Sequence, residues 1–221
     1  AGKLPEEIYS IINNSKLQEL RPISKEPSIR NKTTFNKGYT KETIPRLEGG
    51  RILKAWKLPP AKEQILILGA EIAATILCEG KSSLIVKELR EEKRIIESID
   101  IDLQILEEGG LILLDVSCPE ENLKIVESDV NNILKELTRD LVTNKDLERA
   151  KKLVVNNIYF GLELSSQIAS TLGNQALWGR HNSILKSIDD ISYWTTKRLN
   201  ELIFPLFDPE NAFTLIAEPE K

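Results

Sequence analysis

Residues 98–116 read SIDIDLQILEEGGLILLDV, and this stretch decides the fold class. Ile99, Ile101, Leu103 and Ile105 alternate with Ser98, Asp100, Asp102 and Gln104, the period of two that only an extended strand satisfies. Leu111 to Val116 form a second, more continuously apolar run. Between the two, Glu107-Glu108-Gly109-Gly110 supplies turn residues, so the pair predicts a β-hairpin. One face of the first strand is wet and the other dry. The sheet is therefore expected to carry helices on one side only.

Working outward, the pattern changes from two to three or four. Arg51 to Leu58 predict a strand, stopped by Pro59 and Pro60. Ile65, Leu68, Ile72, Ile76 and Leu77 recur at helical spacing over residues 61–78, and Gly80 ends that helix. A short helix follows, apolar at Leu84, Ile85 and Leu89 and charged from Lys87 to Lys93. Beyond the hairpin, Pro119 opens a helix expected to reach Arg139. Thr143 and Asp146 then form a capping box for a helix running towards Leu172. Ser187 to Asp190 predict a second such cap before a helix ending near Phe204, and Asn211 to Ala217 a closing strand. The order predicts an α+β fold: a two-layer sandwich of a mostly antiparallel sheet covered on one face by helices.

The N-terminal fifth reads differently. Pro5 to Leu20 predict a helix with Ile8, Ile11, Ile12 and Leu20 on one face. From Arg21 to Arg46 prolines, Gly38 and polar residues break every periodicity, and seven Lys or Arg stand against two Glu. This stretch is read as a basic, solvated tether.

Composition excludes several classes of function. The 221 residues carry 30 basic and 34 acidic side chains, a net charge of -4, so no global positive field draws nucleic acid or an anionic membrane. The longest apolar run, Ile65 to Cys78, contains Glu71 and is too short to span a bilayer. Methionine is absent even at the first position, so the sequence reads as a piece of a longer chain. Cys78 and Cys118 lack ligand spacing and read as packed free thiols of a reducing compartment such as the cytoplasm. The one histidine, His181, cannot form the imidazole pair that holds a catalytic zinc, and it reads as a surface or capping residue. Gly80-Lys81-Ser82-Ser83 follows a helix and lacks the upstream glycine of a phosphate loop. Trp56 and Trp178 read as core or interface anchors.

Five stretches, taken together in order and spacing, carry a family resemblance. They are Gly80-Lys81-Ser82-Ser83-Leu84, Leu89-Arg90-Glu91-Glu92-Lys93, the Gly109-Gly110 hairpin, residues 142–151 (VTNKDLERAK) and Phe207-Asp208-Pro209-Glu210-Asn211. Through them residues 46–221 resemble one half of a pitrilysin/insulinase-type zinc metallopeptidase, the family of mitochondrial processing peptidase. The resemblance implies the LuxS/processing-peptidase-like metallohydrolase fold. It also implies that residues 1–20 are the last helix of a preceding homologous half and residues 21–45 the interdomain linker. In that family two halves close around an unfolded peptide, and the zinc sits on an HxxEH motif of the first. No HxxEH occurs here, so the resemblance is to the second, non-catalytic half. It implies no cofactor in this chain, zinc in a homologous partner half, a peptide substrate, and pairing with that half or with a second copy. Peptide hydrolysis would belong to the assembled pair; a scaffold or assembly subunit that keeps the fold without proteolysis is the alternative.

Two candidate substrate-binding residues follow from the resemblance. Arg90 lies where active second halves carry an arginine, followed seven residues later by a tyrosine; both can donate to a developing oxyanion. Here the seventh residue is Glu97, and Arg94 replaces a family glycine. An ionised carboxylate donates nothing. Arg90 thus has two open roles, substrate contact or an exposed ion pair, and an Arg90–Glu97 pair is one expected form of the latter.

Overall fold

The computed structural model describes residues 3–20, 34–139, 141–179 and 185–220. His181 lies outside them. Five strands form one sheet: β1 (Gly38–Ile44), β2 (Gly50–Leu58), β3 (Ser98–Ile105), β4 (Gly110–Cys118) and β5 (Phe213–Pro219), in the order β1-β5-β2-β4-β3. Every pairing is antiparallel except β1 with β5. The helices are α1 (Ile8–Asn13), α2 (Gln64–Cys78), α3 (Leu123–Glu136), α4 (Asn144–Gly161), α5 (Ser165–Leu177), α6 (Lys186–Ile191) and α7 (Thr196–Leu202).

The hairpin forms as its pattern requires. Ile99 pairs Val116, Ile101 pairs Leu114 and Leu103 pairs Ile112, which sets the apolar residues of β3 on the buried face. Along β2, Ile52, Lys54, Trp56 and Leu58 are buried while Arg51 and Lys57 are exposed. Helices α2 and α3 pack on that face and α4 packs on α2, so the sandwich is α+β with one covered side. Helix α2 is apolar nearly all round, with Ile67, Leu68, Ile72, Ile76 and Leu77 all buried, because it lies between the sheet and α4. Trp56 anchors the far end of the core: its Nε1 donates to the Asp208 carbonyl at 2.8 Å, and its ring sits 6.0 Å from that of Phe207. The Asp208 carboxylate accepts from the Glu210 amide at 2.9 Å and Asn211 Nδ2 at 3.2 Å, a turn that aims the chain into β5.

Among the described residues Lys54 is the one buried side chain that carries a charge. Lys54 is 2% exposed, donates to Thr214 Oγ1 at 2.9 Å, and lies 4.0 Å from Glu127 of α3. Burial pushes its pKa below the usual lysine range, and the Glu127 carboxylate partly offsets this.

Several expectations need correction. Residues 38–44, read within the tether, form the edge strand β1, zipped in parallel along β5 from Gly38–Phe213 to Ile44–Pro219. Both of its faces are polar or exposed, so nothing in its alternation marks it. The helix expected over residues 5–20 shortens to α1 and a separate 3₁₀ turn, Lys16–Glu19, because Ser15 breaks between them and caps the turn through the Leu17 amide at 3.2 Å. The capping box at Thr143 is present, with Asp146 N donating to Thr143 Oγ1 at 3.3 Å and Thr143 N to Asp146 Oδ2 at 3.0 Å. The helix it opens is interrupted after Gly161 and resumes as α5. The second capping box does not form. Ser187 lies inside α6, and the working cap is Thr195, which accepts from Arg198 N at 3.2 Å and starts α7.

Candidate functional site

Arg90 precedes and Glu97 follows the end of one helical segment. Residues Val86–Glu92 form a π-helical segment, whose hydrogen bonds span one residue more than those of an α-helix, as in the Lys93 amide donating to the Glu88 carbonyl at 2.9 Å. Such wide turns recur at functional sites in proteins. Val86 and Leu89 are buried, which leaves Arg90 at the margin of the segment. Its guanidinium donates from Nε at 3.1 Å and Nη2 at 3.0 Å to one oxygen of the adjacent Glu91. Lys93 bridges Glu88 at 2.7 Å and Asp129 of α3 at 2.8 Å, tying the segment to the helical layer, and these two carboxylates raise its pKa.

The segment closes on Arg94, whose φ is +53°. Beyond it the Ile95 amide donates back to the Leu89 carbonyl at 3.0 Å, a six-residue closure that places Arg94 where helices favour glycine. The left-handed conformation costs a non-glycine residue about 1–2 kcal/mol, and glycine returns about 0.5–1 kcal/mol of that through the freer unfolded chain. Arg94→Gly is expected to stabilise the protein by about 0.5–1 kcal/mol in urea denaturation; a loss of stability would contradict this reading of the helix end.

Glu97 is held elsewhere. Its amide donates to the Ser117 carbonyl at 2.8 Å, and its carboxylate accepts from Ser117 Oγ at 3.1 Å. The expected Arg90–Glu97 ion pair does not form: Arg90 is satisfied by its neighbour and Glu97 by the β4 strand. The carboxylate acts instead on Cys118, whose thiol is pushed up to about 11, first by burial and then by Glu97 and Glu121.

A cleft of about 510 Å³ runs between α2 and the edge strand β3. Glu71, Glu79, Asp100 and Asp102 line it with Asn157 of α4, whose Nδ2 donates to Glu79 Oε1 at 3.4 Å; neither Arg90 nor Glu97 does. Burial, and then Glu79, raise the pKa of Glu71. Sequence reading missed this assembly. Asp100 and Asp102 look like the wet side of an alternating strand, and Glu71 like a flaw in an apolar run; only the packing of α2 beside β3 joins them.

These residues do not fit a zinc ion. The donors of the cleft are carboxylates without an imidazole, and the Cys78 thiol beside them is held protonated by burial and by Asp100. Among the described residues no group of three His, Cys, Asp or Glu is disposed to hold a metal, and no helix is long and apolar enough to cross a membrane. Cys78 and Cys118 are both buried and unbonded, and they pack as small hydrophobes in the core. Trp56 is buried and Trp178 half-buried.

Comparison with known proteins agrees with this architecture. Residues 1–154 match the family model described as the peptidase M16 inactive domain. A zinc protease of Bacillus subtilis (strain 168), YmxG, itself uncharacterized, is 25% identical over 143 residues, covering 64% of this chain and 35% of that protein. A protease from Helicobacter pylori of known structure superposes with a TM-score of 0.81 at 15% identity, covering 98% of this chain and 53% of that one. The peptidase M16 inactive domain from Pseudomonas fluorescens gives 0.71 at 15% identity, over 84% of this chain and 44% of that one. The matched stretch thus spans about a third of the Bacillus relative and about half of the Helicobacter structure.

Proposed function

The chain belongs to the family of peptidase M16 inactive domains, and from that premise we propose that it closes a peptide chamber whose hydrolytic half is another, zinc-bearing unit. Its own part is to bind the substrate as an extended strand. The observation that carries this is the outer edge of β3: among the described residues no strand pairs with it, and it borders the acidic cleft. An unpaired edge offers a row of backbone donors and acceptors to a peptide laid alongside. Residues 1–20 support a partner as well. No residue of α1 is buried, and Tyr9, Ile11 and Ile12 are exposed, so this helix lacks the apolar surface it would pack on and is read as belonging to the preceding half.

The experiment mixes this chain with the zinc-bearing half that accompanies it and follows cleavage of an unfolded peptide. Cleavage is expected in the mixture and not in this chain alone, and labelled peptide is expected to bind the chain without being cut. Cleavage by the isolated chain, or no binding of peptide by either the chain or the mixture, would overturn the reading. One observation favours a second reading, a scaffold that retains the fold: Arg90 is occupied by Glu91 and a carboxylate stands at position 97. A mixture that assembles and binds peptide, yet cleaves no faster than the zinc-bearing half alone, would select it.

A further inference from the structure

On the face of the sheet that the helices leave open, one end carries a pocket of about 300 Å³. Phe35, Phe213, Leu106 and Leu111 wall it, and Lys57 and Glu108 stand at its rim. Register builds it: Lys57 pairs Leu111 and Ala55 pairs Phe213, so these side chains leave the sheet on the same side. Leu106 is 56% exposed and Phe213 38%, a large apolar surface left open to water. Beyond Phe35 a second hollow of about 310 Å³ shares Phe35 and Lys57 with the first and adds Lys37. Among the described residues no carboxylate stands within ion-pair distance of Lys57, and Lys37 is near enough to Glu210 to help lower its pKa.

Size and charge together restrict the occupant. The pocket is at the small end of the range for ligand sites, about 300–1,000 Å³, and has room for a side chain of leucine or phenylalanine size. Lys57 lines both hollows and Lys37 the second, so the apolar wall is flanked by two ammonium groups. We infer that this pocket takes a large apolar side chain of an extended peptide whose next residue but one, which leaves the backbone on the same side, is Asp or Glu, with that carboxylate on Lys57. The inference rests on the peptide-binding reading above only in taking an extended peptide as the ligand, since the pocket opens over β2, β4 and β5 and not at the outer edge of β3. It needs neither cleavage nor a partner half, so the two can fail separately.

The test uses the whole 221-residue chain and fluorescein-labelled Gly/Ser peptides with a central Phe-Ser-Glu, Phe-Ser-Lys or Ser-Ser-Glu (Phe-Glu, Phe-Lys and Ser-Glu), read by fluorescence polarisation. Phe-Glu is expected to bind at least about tenfold tighter than Ser-Glu, and several-fold tighter than Phe-Lys, with the second difference lost in high salt. Gly109→Leu is expected to abolish the preference for Phe. Gly109 lines the pocket, is itself buried, and a Cβ there meets nothing within 4 Å, so the new side chain grows into the cavity rather than into the core. Lys57→Glu, on an exposed side chain, is expected to reverse the preference to Phe-Lys. Equal binding of Phe-Glu and Ser-Glu, or a Phe preference that survives Gly109→Leu, would overturn the pocket; equal binding of Phe-Glu and Phe-Lys by the unaltered chain would overturn the acidic preference.

Discussion

Gly69→Ala is expected to destabilise the protein by about 2 kcal/mol, lowering Tm by about 4–8 °C. In an open helix the same change gains about 0.5–1 kcal/mol, because alanine has less backbone freedom to lose on folding. Gly69 is not in the open. A Cβ built there would stand 2.5 Å from Trp194 Cη2 and 2.7 Å from Cε2, and nearer still to Cζ2. Trp194 is fully buried between α6 and α7, and Tyr193 meets its ring edge-on at 5.4 Å between centroids. The indole is fully buried, so either it or α2 must shift against packed neighbours. Gly173→Ala, in α5 with nothing within 4 Å of its Cβ, is the control and is expected to raise Tm slightly. Paired denaturation curves decide the matter: equal or higher stability of the Gly69 variant would mean that the contact with Trp194 yields. Pairing Gly69→Ala with Trp194→Leu should recover part of the loss, since the two changes meet in one space.

This contact also marks where sequence reading stops. The hairpin over residues 98–118, the amphipathic stretch of α3 and the cap at Thr143 are local patterns, each written within a few neighbouring residues, and each is present at its place. Glycine at position 69 looks like a tolerated flaw in an apolar helix until a tryptophan 125 positions later is laid across it. Strand β1 is of the same kind: its residues carry no apolar face, and its extended form depends on hydrogen bonds to β5 at the far end of the chain. Family resemblance reached further than pattern in one respect, since it singled out Arg94 as an arginine in place of a glycine, and the positive φ there gives that difference a physical meaning. It did not foresee the side-chain partners. Glu91 is next to Arg90 in sequence and Ser117 lies opposite Glu97 only because β3 pairs with β4, so the choice between them depends on rotamers and packing that no spacing encodes.

Arg149→Ala is expected to cost about 2–3 kcal/mol, the second large loss, through the end of a helix that Arg149 does not belong to. Helix α2 stops at Cys78, and the chain leaves it through Gly80 at φ +81°. The Thr75 carbonyl accepts from the Glu79 amide at 3.2 Å, and the carbonyls after it have no partners within the helix. From α4, Arg149 Nη1 donates to the Glu79 carbonyl at 2.8 Å and Nη2 to the Thr75 carbonyl at 3.3 Å, and the guanidinium charge lies at the negative end of the α2 dipole. Hydrogen bonds from a charged donor are worth about 1.5–3 kcal/mol, and alanine would leave both carbonyls without it. The same site braces the acidic cleft, where Thr75 Oγ1 donates to Glu79 Oε2 at 3.1 Å and Asn157 Nδ2 to the other oxygen. The loss should therefore appear in two measurements: a lower urea midpoint, and faster hydrogen exchange confined to amides 75–80. Arg149→Lys keeps the charge but not the planar fork, and should recover roughly half of the stability. If Arg149→Ala stays within about 0.5 kcal/mol of the parent, or if exchange quickens evenly through the core, α2 is held by its apolar packing alone and the guanidinium is a surface group.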